Sequence, residues 1–574
     1  MFPLMGKIKA LSTGLGYETA PTPMVQETDN WRALPWEKYQ RNVSRLQQRI
    51  YRATTQKAWR TVHQLQRLLL HSWSARCVAV RQVTQDNRGK RTAGIDGVAN
   101  LRPVERLHLA ESLKDLSQIA GGIRRVYIPK PNGGQRGLGI PTMHDRAVQA
   151  LTKLALEPEW EAQFEPNSYG FRPGRSAHDA IEAIFNHIAK KPKYVLDADI
   201  EKCFDKISHE KLLTKLNTIP IITNLVKGWL KAGILDKGNW HEPEAGVPQG
   251  GVISPLLMNV ALHGFERALG ASLPLSQRGA MIRYADDFVI LHPDLAILQT
   301  LKAQAESWLA EMGLNMKASK TRITHTLHEH KGAVGFDFLG FHIRQYHVGK
   351  YRTKTYKGAA GYKTLIKPSQ KAVQRHLHKL KEVIRHHRAA PQAALIQHLN
   401  PIIRGWRRYY RTVVSKEVFS RVDTLLYRKL VRWAHFRHSK KTNGWCKRRY
   451  WRAIKGRKRF AAEINSLAAH DDEPITRHVK VRNTKSPFDG DWVYWTMRLG
   501  RDPIIPQRVA RLMRQQRGRC GQCNLSFTSQ EVLETHHVDG DHANNKWENL
   551  QLLHGHCHDR VHATANLVLM TTAS

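Results

Sequence analysis

Residues 281–290 read MIRYADDFVI. Two adjacent carboxylates, Asp286 and Asp287, stand between apolar runs of strand character. Like charges in contact raise each other's pKa, and a bound divalent cation relieves that conflict. A second run, KYVLDADIEKCFD at 193–205, alternates so that Tyr194, Leu196, Ala198 and Ile200 share one strand face and Val195, Asp197 and Asp199 the other. Asp199 therefore leaves the end of its strand, where a neighbouring strand could add the Asp286/Asp287 pair. Strands that each present a carboxylate can hold two cations about 3.5–4 Å apart, clamping the attacking and leaving oxygens of a phosphoryl transfer. Alone, the ADD triplet fits an acidic β-turn better than a metal site, so its surroundings decide.

Those surroundings are basic. The 574 residues carry 91 Lys plus Arg against 48 Asp plus Glu, a formal net charge of +43, with 41% hydrophobic residues. That is enough apolar content for several domains with their own cores, not for a disordered tail. Positive charge spread along the whole chain points to a polyanion, nucleic acid foremost. No window approaches the apolar length of a membrane span, and the start, MFPLMGKIKALSTGLGYETAPTP, has no secretory core. A cytoplasmic location, in a prokaryote or an organelle interior, is expected. Three of the six cysteines crowd the C-terminus, a metal-binding pattern rather than a disulfide framework.

Residues 1–30 read as a loose extension. From Trp31 to Val83, apolar residues recur at helical spacing (Val43, Leu46, Ile50; Leu65, Leu68, Leu69) among cations, predicting basic amphipathic helices. Residues 100–345 mix strands, helices and Gly/Pro turns. Between 371 and 460 roughly two dozen Lys and Arg face three acids, interleaved with Trp406, Tyr409, Tyr410, Trp433, Trp445, Tyr450 and Trp451. HVKVR (478–482) and WVYW (492–495) read as two short strands around the turn SPFDGD.

Seven passages occur in one order: RVYIPKPNGGQRGLGIPT (125–142), NSYGFRPGRSAHDAI (167–181), DADIEKCFDKISHEKLL (197–213), GVPQGGVISPLLMNVAL (246–262), YADD (284–287), GLNMKASKTRI (313–323) and FDFLGF (336–341). With them, residues 31–574 resemble the reverse transcriptases and maturases encoded in mobile group II introns. The resemblance implies a multidomain α/β and α chain with right-hand polymerase fingers and palm (α+β) at 31–362. An α-helical thumb or maturase domain follows at 363–455, a small DNA-binding segment at 456–505 and a ββα-metal HNH module at 506–574.

It further implies that Asp199 and Asp286 bind Mg²⁺ at a two-metal site, with Ile200 among the metal-contacting positions and Asp287 in a lesser role. Phe204 matches an aromatic gate against a ribose 2′-hydroxyl, or is simply a core Phe. Lys130 and Arg136 flank a hairpin turn that would hold the incoming dNTP triphosphate; otherwise they are solvated turn charges. Gln249 lies in a Gly-rich loop beside the nascent base pair, ahead of a helix with Ser254 as N-cap and Pro255 at N1. Lys320 matches a lysine that protonates pyrophosphate, or is an exposed helix lysine. Arg172 and Arg175, in a loop with Ser176 able to cap the next helix, are read as contacts to the RNA template and DNA primer. Arg404, Arg407 and Arg408 in LNPIIRGWRRYY (399–410) belong to a surface for intron RNA, where aromatics stack and arginines meet phosphates. The alternative is a helical bundle with aromatic core and solvated cations.

At the C-terminus, CGQC (520–523) precedes ETHHVDGDHANNKWENLQLLHGHCHDRVH (534–562). Cys520, Cys523 and Cys557 with His554 make a closed tetrahedral set suited to structural Zn²⁺, although relatives often have a second CxxC where this chain has His554 and Cys557. His536, His558 and His562 resemble the ligands of a catalytic divalent metal, Mg²⁺ or similar, with His537 as general base and Asn549 orienting it. A zinc finger without catalysis is the alternative. The expectation is a polymerase that copies RNA into DNA, assists splicing of its intron and nicks target DNA. Its rivals are a splicing cofactor with a vestigial polymerase site and a homing endonuclease with an accessory RNA-binding part.

Overall fold

The computed structural model describes residues 31–571 apart from 131–132, 275–276, 349–360, 455, 484 and 529–530. The expected extension at 1–30 lies outside the described residues. Near the start of the described residues lie the helices α1 (Trp36–Thr55), α2 (Trp59–His71) and α3 (Trp73–Arg81). In α1 the buried positions Trp36, Tyr39, Val43, Gln47 and Ile50 recur every three or four residues, so the cations between them face outward. Leu68 breaks the predicted pattern in α2, being exposed while Leu65 and Leu69 are buried. All three helices pack on α4 (Met143–Glu161).

The fingers sheet pairs β1 (Ile123–Pro129) with β2 (Gln135–Ile140), and β4 (Ile234–Asp236) with β5 (Asn239–His241), in the order β2-β1-β4-β5. The palm sheet takes β3 (Tyr194–Asp199), β6 (Ala280–Tyr284), β7 (Asp287–His292) and β8 (Arg322–His325) in the order β6-β7-β3-β8. Both its faces are covered. Leu196, Ala198, Met281, Phe288 and Ile290 join the main core. Val195, Ile282, Val289 and Leu291 join a second core with α5 (Ala177–Ile188). A sheet buried on both sides explains why its strands read as nearly continuous apolar runs.

A third sheet, β9 (Phe336–Phe338), β10 (Phe341–His347) and β11 (Tyr362–Pro368), leads into the thumb helices α8 (Gln370–His386), α9 (Gln392–Tyr410) and α10 (Lys416–Arg437). The expected boundary at 362/363 cuts β11, whose backbone pairs with β10 throughout. The helical part starts instead at Ser369, whose Oγ caps α8 by accepting the Ala372 N–H. The boundary at 455/456 likewise bisects a hairpin of β12 (Trp451–Ile454) and β13 (Arg457–Phe460).

The two strands expected in the next segment are absent. WVYW is the first turn of helix α11 (Trp492–Leu499), because Asp491 caps it by accepting the Tyr494 N–H. HVKVR forms no strand; the Val481 N–H is taken by the Asp179 carboxylate at 2.7 Å. The C-terminal module comprises α12 (Gln507–Gln515), an antiparallel pair β14 (Leu533–His537) and β15 (Leu550–His554), and α13 (Gly555–Thr571).

Candidate polymerase and metal sites

Antiparallel register places Asp199 opposite Asp287. One residue on, the Ile200 N–H donates to the Asp286 carbonyl at 3.2 Å, so segments 87 positions apart by residue number meet at one sheet end. Ala285, in the turn between β6 and β7, has φ +58°, which lets the chain reverse with Asp286 at its tip. Ile200 is buried and apolar, so only its carbonyl could serve a metal. Burial first, and then Asp199, pushes the Asp286 pKa up, with Arg136 and Lys320 opposing. Asp287 is driven to about 7 by burial and by both neighbouring carboxylates. The Lys320 ammonium contacts the Asp199 carboxylate directly, which places it at the aspartate end of the strand and raises the Lys320 pKa.

Phe204 is buried in the short helix α6 (Cys203–Lys206). Its carbonyl and that of Ile207 accept the Val247 and Gly246 N–H groups, hanging the GVPQ loop beside Phe204. The Gln249 carbonyl accepts the Gly139 N–H from β2 at 2.6 Å. Gly250, at φ +122°, leaves room there: a Cβ would lie 2.5 Å from the Gly139 carbonyl oxygen. The following helix α7 (Ser254–Ala261) starts one residue earlier than expected, with Ile253 at the N-cap and no capping bond from Ser254. Lys130 is exposed at the rim of the β1–β2 hairpin. Arg136 is exposed too, within electrostatic reach of Asp286.

Three arginines read as nucleic-acid contacts are structural instead. Arg172, with a side chain 1% exposed, forks onto Glu161 at 2.8 and 2.9 Å and donates to the Glu165 and Ser168 carbonyls. Arg175 donates to the Pro166 and Asn483 carbonyls and lies over the Tyr169 ring. Arg407 is buried against Glu473 and Asp472. These guanidinium groups are engaged inside the fold through their terminal nitrogens, only the buried Nε atoms of Arg175 and Arg407 lacking a partner, and they offer little to a phosphate. Arg404 remains exposed, and Arg408 partly so. The thumb aromatics are mostly core rather than stacking platforms: Tyr410, Trp433 and Tyr450 are buried, and Trp406 lies flat on His376 at 4.4 Å.

Two positioning residues escaped the sequence reading. Arg283 is fully buried, donating to Asn259 Oδ1 at 3.1 Å and the Ala285 carbonyl at 3.2 Å, and Asn259 donates to the Gly170 carbonyl at 2.9 Å. This network ties the aspartate turn to the YGF loop. A cation inside the apolar run MIRY was the available signal, since a buried charge requires partners.

In the C-terminal module Cys520, Cys523, His554 and Cys557 gather with ligand atoms all within 4.8 Å, and so do those of His536, His558 and His562. Hydrogen bonds from Cys523 and Cys557 pull the Cys520 thiol far below its ordinary pKa. Sulfur with imidazole suits zinc. His558 Nδ1 meets Glu534 at 2.9 Å, and the Nε2 atoms of His558 and His562 converge at 3.1 Å. A carboxylate behind a ligating imidazole is the usual second layer of a metal site, and buried His536 Nδ1 has no hydrogen-bond partner. His537 adjoins this set with neither ring nitrogen bonded. Asn549 does not reach His537 as expected; its side chain holds Asp539 and the Asn544 carbonyl, fixing the loop that follows His537.

Sequence comparison agrees with the geometry. Residues 31–113 match the N-terminal domain of reverse transcriptase, 128–343 the reverse transcriptase (RNA-dependent DNA polymerase) family, and 373–451 the group II intron maturase-specific domain. The chain belongs to the group II intron reverse transcriptase and maturase family. It is 32% identical over 311 residues to protein YkfC of Escherichia coli K12, covering 46% of this chain and 78% of that protein. It is 37% identical over 188 residues to the group II intron-encoded protein LtrA of Lactococcus lactis, covering 32% of this chain and 31% of LtrA. Against a solved apo telomerase of Candida tropicalis the TM-score is 0.31 at 15% identity, over 40% of this chain and 54% of that one, too loose to bear on the fold.

Proposed function

We propose that this protein is an RNA-directed DNA polymerase that also binds its parent intron RNA to promote splicing, and that it acts inside the cytoplasm or an organelle. The observation that carries the reading is the meeting of Asp199 with the Asp286/Asp287 turn. Their carboxylates are hard oxygen donors that fit Mg²⁺, which when bound there would neutralise charge on the triphosphate and the primer hydroxyl. Around it, Arg136 and Lys130 would hold the dNTP triphosphate, Gln249 would border the base pair, and Phe204 would oppose a 2′-hydroxyl. Lys320 would stand near enough to donate a proton to pyrophosphate. Arg404 and Arg408, exposed on a strongly basic thumb, would meet intron RNA. Primer extension on an RNA template tests this: Asp286→Ala abolishes DNA synthesis and leaves intron RNA binding intact. Unchanged synthesis would return the aspartates to a structural role.

We further propose that the C-terminal ββα module is an HNH-type nuclease that nicks target DNA to supply a primer, completing intron homing. The convergence of His536, His558 and His562 beside the unbonded ring of His537 supports it, and the Cys/His set would hold structural zinc. Loss of strand nicking in His537→Ala with polymerisation retained is the expected result. Persistent nicking would remove His537 as the base.

A further inference from the structure

Phe171 is an unusual residue for its position. It has φ +59°, a left-handed conformation that Gly or Asn adopts far more readily than an aromatic residue, and the residue is 53% exposed. A turn needing only that backbone would favour a small residue and no exposed ring. The segment is pinned on both sides. Before it, the Tyr169 N–H donates to the Arg283 carbonyl at 2.9 Å, and a Cβ on Gly170 would lie 2.3 Å from the Ala285 nitrogen. After it, Arg172 is locked on Glu161. Strain that the surroundings overdetermine tends to mark function. The ring meets Phe204 edge to face, with centroids 6.3 Å apart and planes at 80°, on the loop that is bonded to the aspartate turn.

We propose that Phe171 is a positioning residue for sugar selection: its ring braces Phe204 against the 2′ side of the incoming nucleotide. The proposal rests on the reading of Phe204 as the gate. Two planar rings in edge contact limit each other's rotation, so removing one frees the other to retreat from a ribose. The far side of Phe171 borders a groove shared with Lys153, Trp495 and Arg498, and stacking on nucleic acid there is the competing role.

The test is single-nucleotide incorporation by the full chain, with dNTP and rNTP compared for wild type, Phe171→Gly, Phe171→Tyr, Phe204→Ala and the Phe171→Gly/Phe204→Ala double variant. Glycine accommodates the positive φ, so Phe171→Gly melts no lower than wild type and its kinetics report on the ring. We expect Phe171→Gly to raise relative rNTP use by about tenfold, the scale of a pocket wall displaced by a methylene's width. KM for dNTP should rise more than kcat falls, at unchanged primer–template affinity. Phe171→Tyr should behave as wild type, and the double variant should be no more permissive than Phe204→Ala. An unchanged ratio in Phe171→Gly overturns the proposal, as do additive effects in the double variant or weakened primer–template binding at constant ratio. If Phe204→Ala itself admits no more rNTP, the gate reading falls first, and that result is distinct from failure of Phe171 alone.

Discussion

At the scale of single residues, position in the fold decides what a charge is for. Asp286 is partly desolvated beside two other carboxylates, a costly arrangement that a cation repays. Asp286→Ala should lower primer extension by at least about a thousandfold, the several kcal/mol a metal site supplies, as measured by single-turnover kinetics. Arg172 offers the opposite case. Arg172→Ala leaves Glu161 buried without its partner and should cost about 3–5 kcal/mol of stability, read as a lowered Tm. A phosphate contact would instead change template affinity and leave Tm in place. The carboxylate pair was legible in the sequence because acids are rare in apolar runs. The fate of Arg172, Arg175 and Arg407 was not, because only the folded chain turns the preceding Glu161–Ser168 segment back onto Arg172 and brings Asn483 and Glu473 to Arg175 and Arg407.

At the scale of elements, amphipathic spacing predicted α1 correctly, yet it left the thumb aromatics open between stacking surface and bundle core, and Tyr410, Trp433 and Tyr450 went to the core. Spacing tells which residues share a face, not whether another helix covers it. The last turn of α4 supplies a titration test. Burial raises Glu159 from its ordinary value near 4.5 to about 7, partly offset by a hydrogen bond from Gln66 at 2.6 Å. A carboxyl raised in the folded state favours folding most below pH 4.5, and that stability is lost as pH climbs through 7. Glu159→Gln should flatten this decline and raise stability at pH 8 by up to about 3 kcal/mol, seen by comparing urea midpoints at pH 5 and pH 8. WVYW shows the limit of pattern reading for short segments: four apolar residues fit a strand or a helix turn, and the Asp491 cap chose the helix.

At the scale of the whole molecule, Asp179 is the tie between palm and C-terminal half. It is buried at the start of α5 and takes bonds from His478, Val481 and Arg498 at 3.0, 2.7 and 2.7 Å. Burial alone would raise its pKa, but the His478 hydrogen bond and the Arg498 charge hold it well below the carboxylate range. This contribution therefore persists into mild acid and fades only as pH falls through that depressed value. Asp179→Ala should cost about 3–5 kcal/mol and open residues 476–498 to limited proteolysis. The C-terminal module meets the opening helices separately, through Arg81 with Asp559 at 2.9 Å, Arg560 with the Leu34 carbonyl at 3.1 Å and Gln40 with His556 at 3.2 Å. His556 and the zinc candidate His554 lie on that docking face, around a cavity of about 140 Å³ shared with Trp36 and Arg81. Cys520→Ser should remove about one equivalent of zinc per chain. It should also speed amide exchange in residues 36–48 and 78–86, by mass spectrometry, while leaving polymerase activity.

The amino-acid order by itself determined the basic character, the motif succession, the alternation that aims Asp199 from its strand and the spacing of the Cys and His ligands, because each depends on neighbours a few residues apart. The fold alone decided which arginines are consumed by buried carboxylates, that Arg283 and Asn259 bind the YGF loop to the aspartate turn, and that the C-terminal module rests on the first helices. Those outcomes depend on partners that range from the Glu161 carboxylate 11 residues before Arg172 to Asp559, 478 residues beyond Arg81, and local periodicity carries no information about who those partners will be.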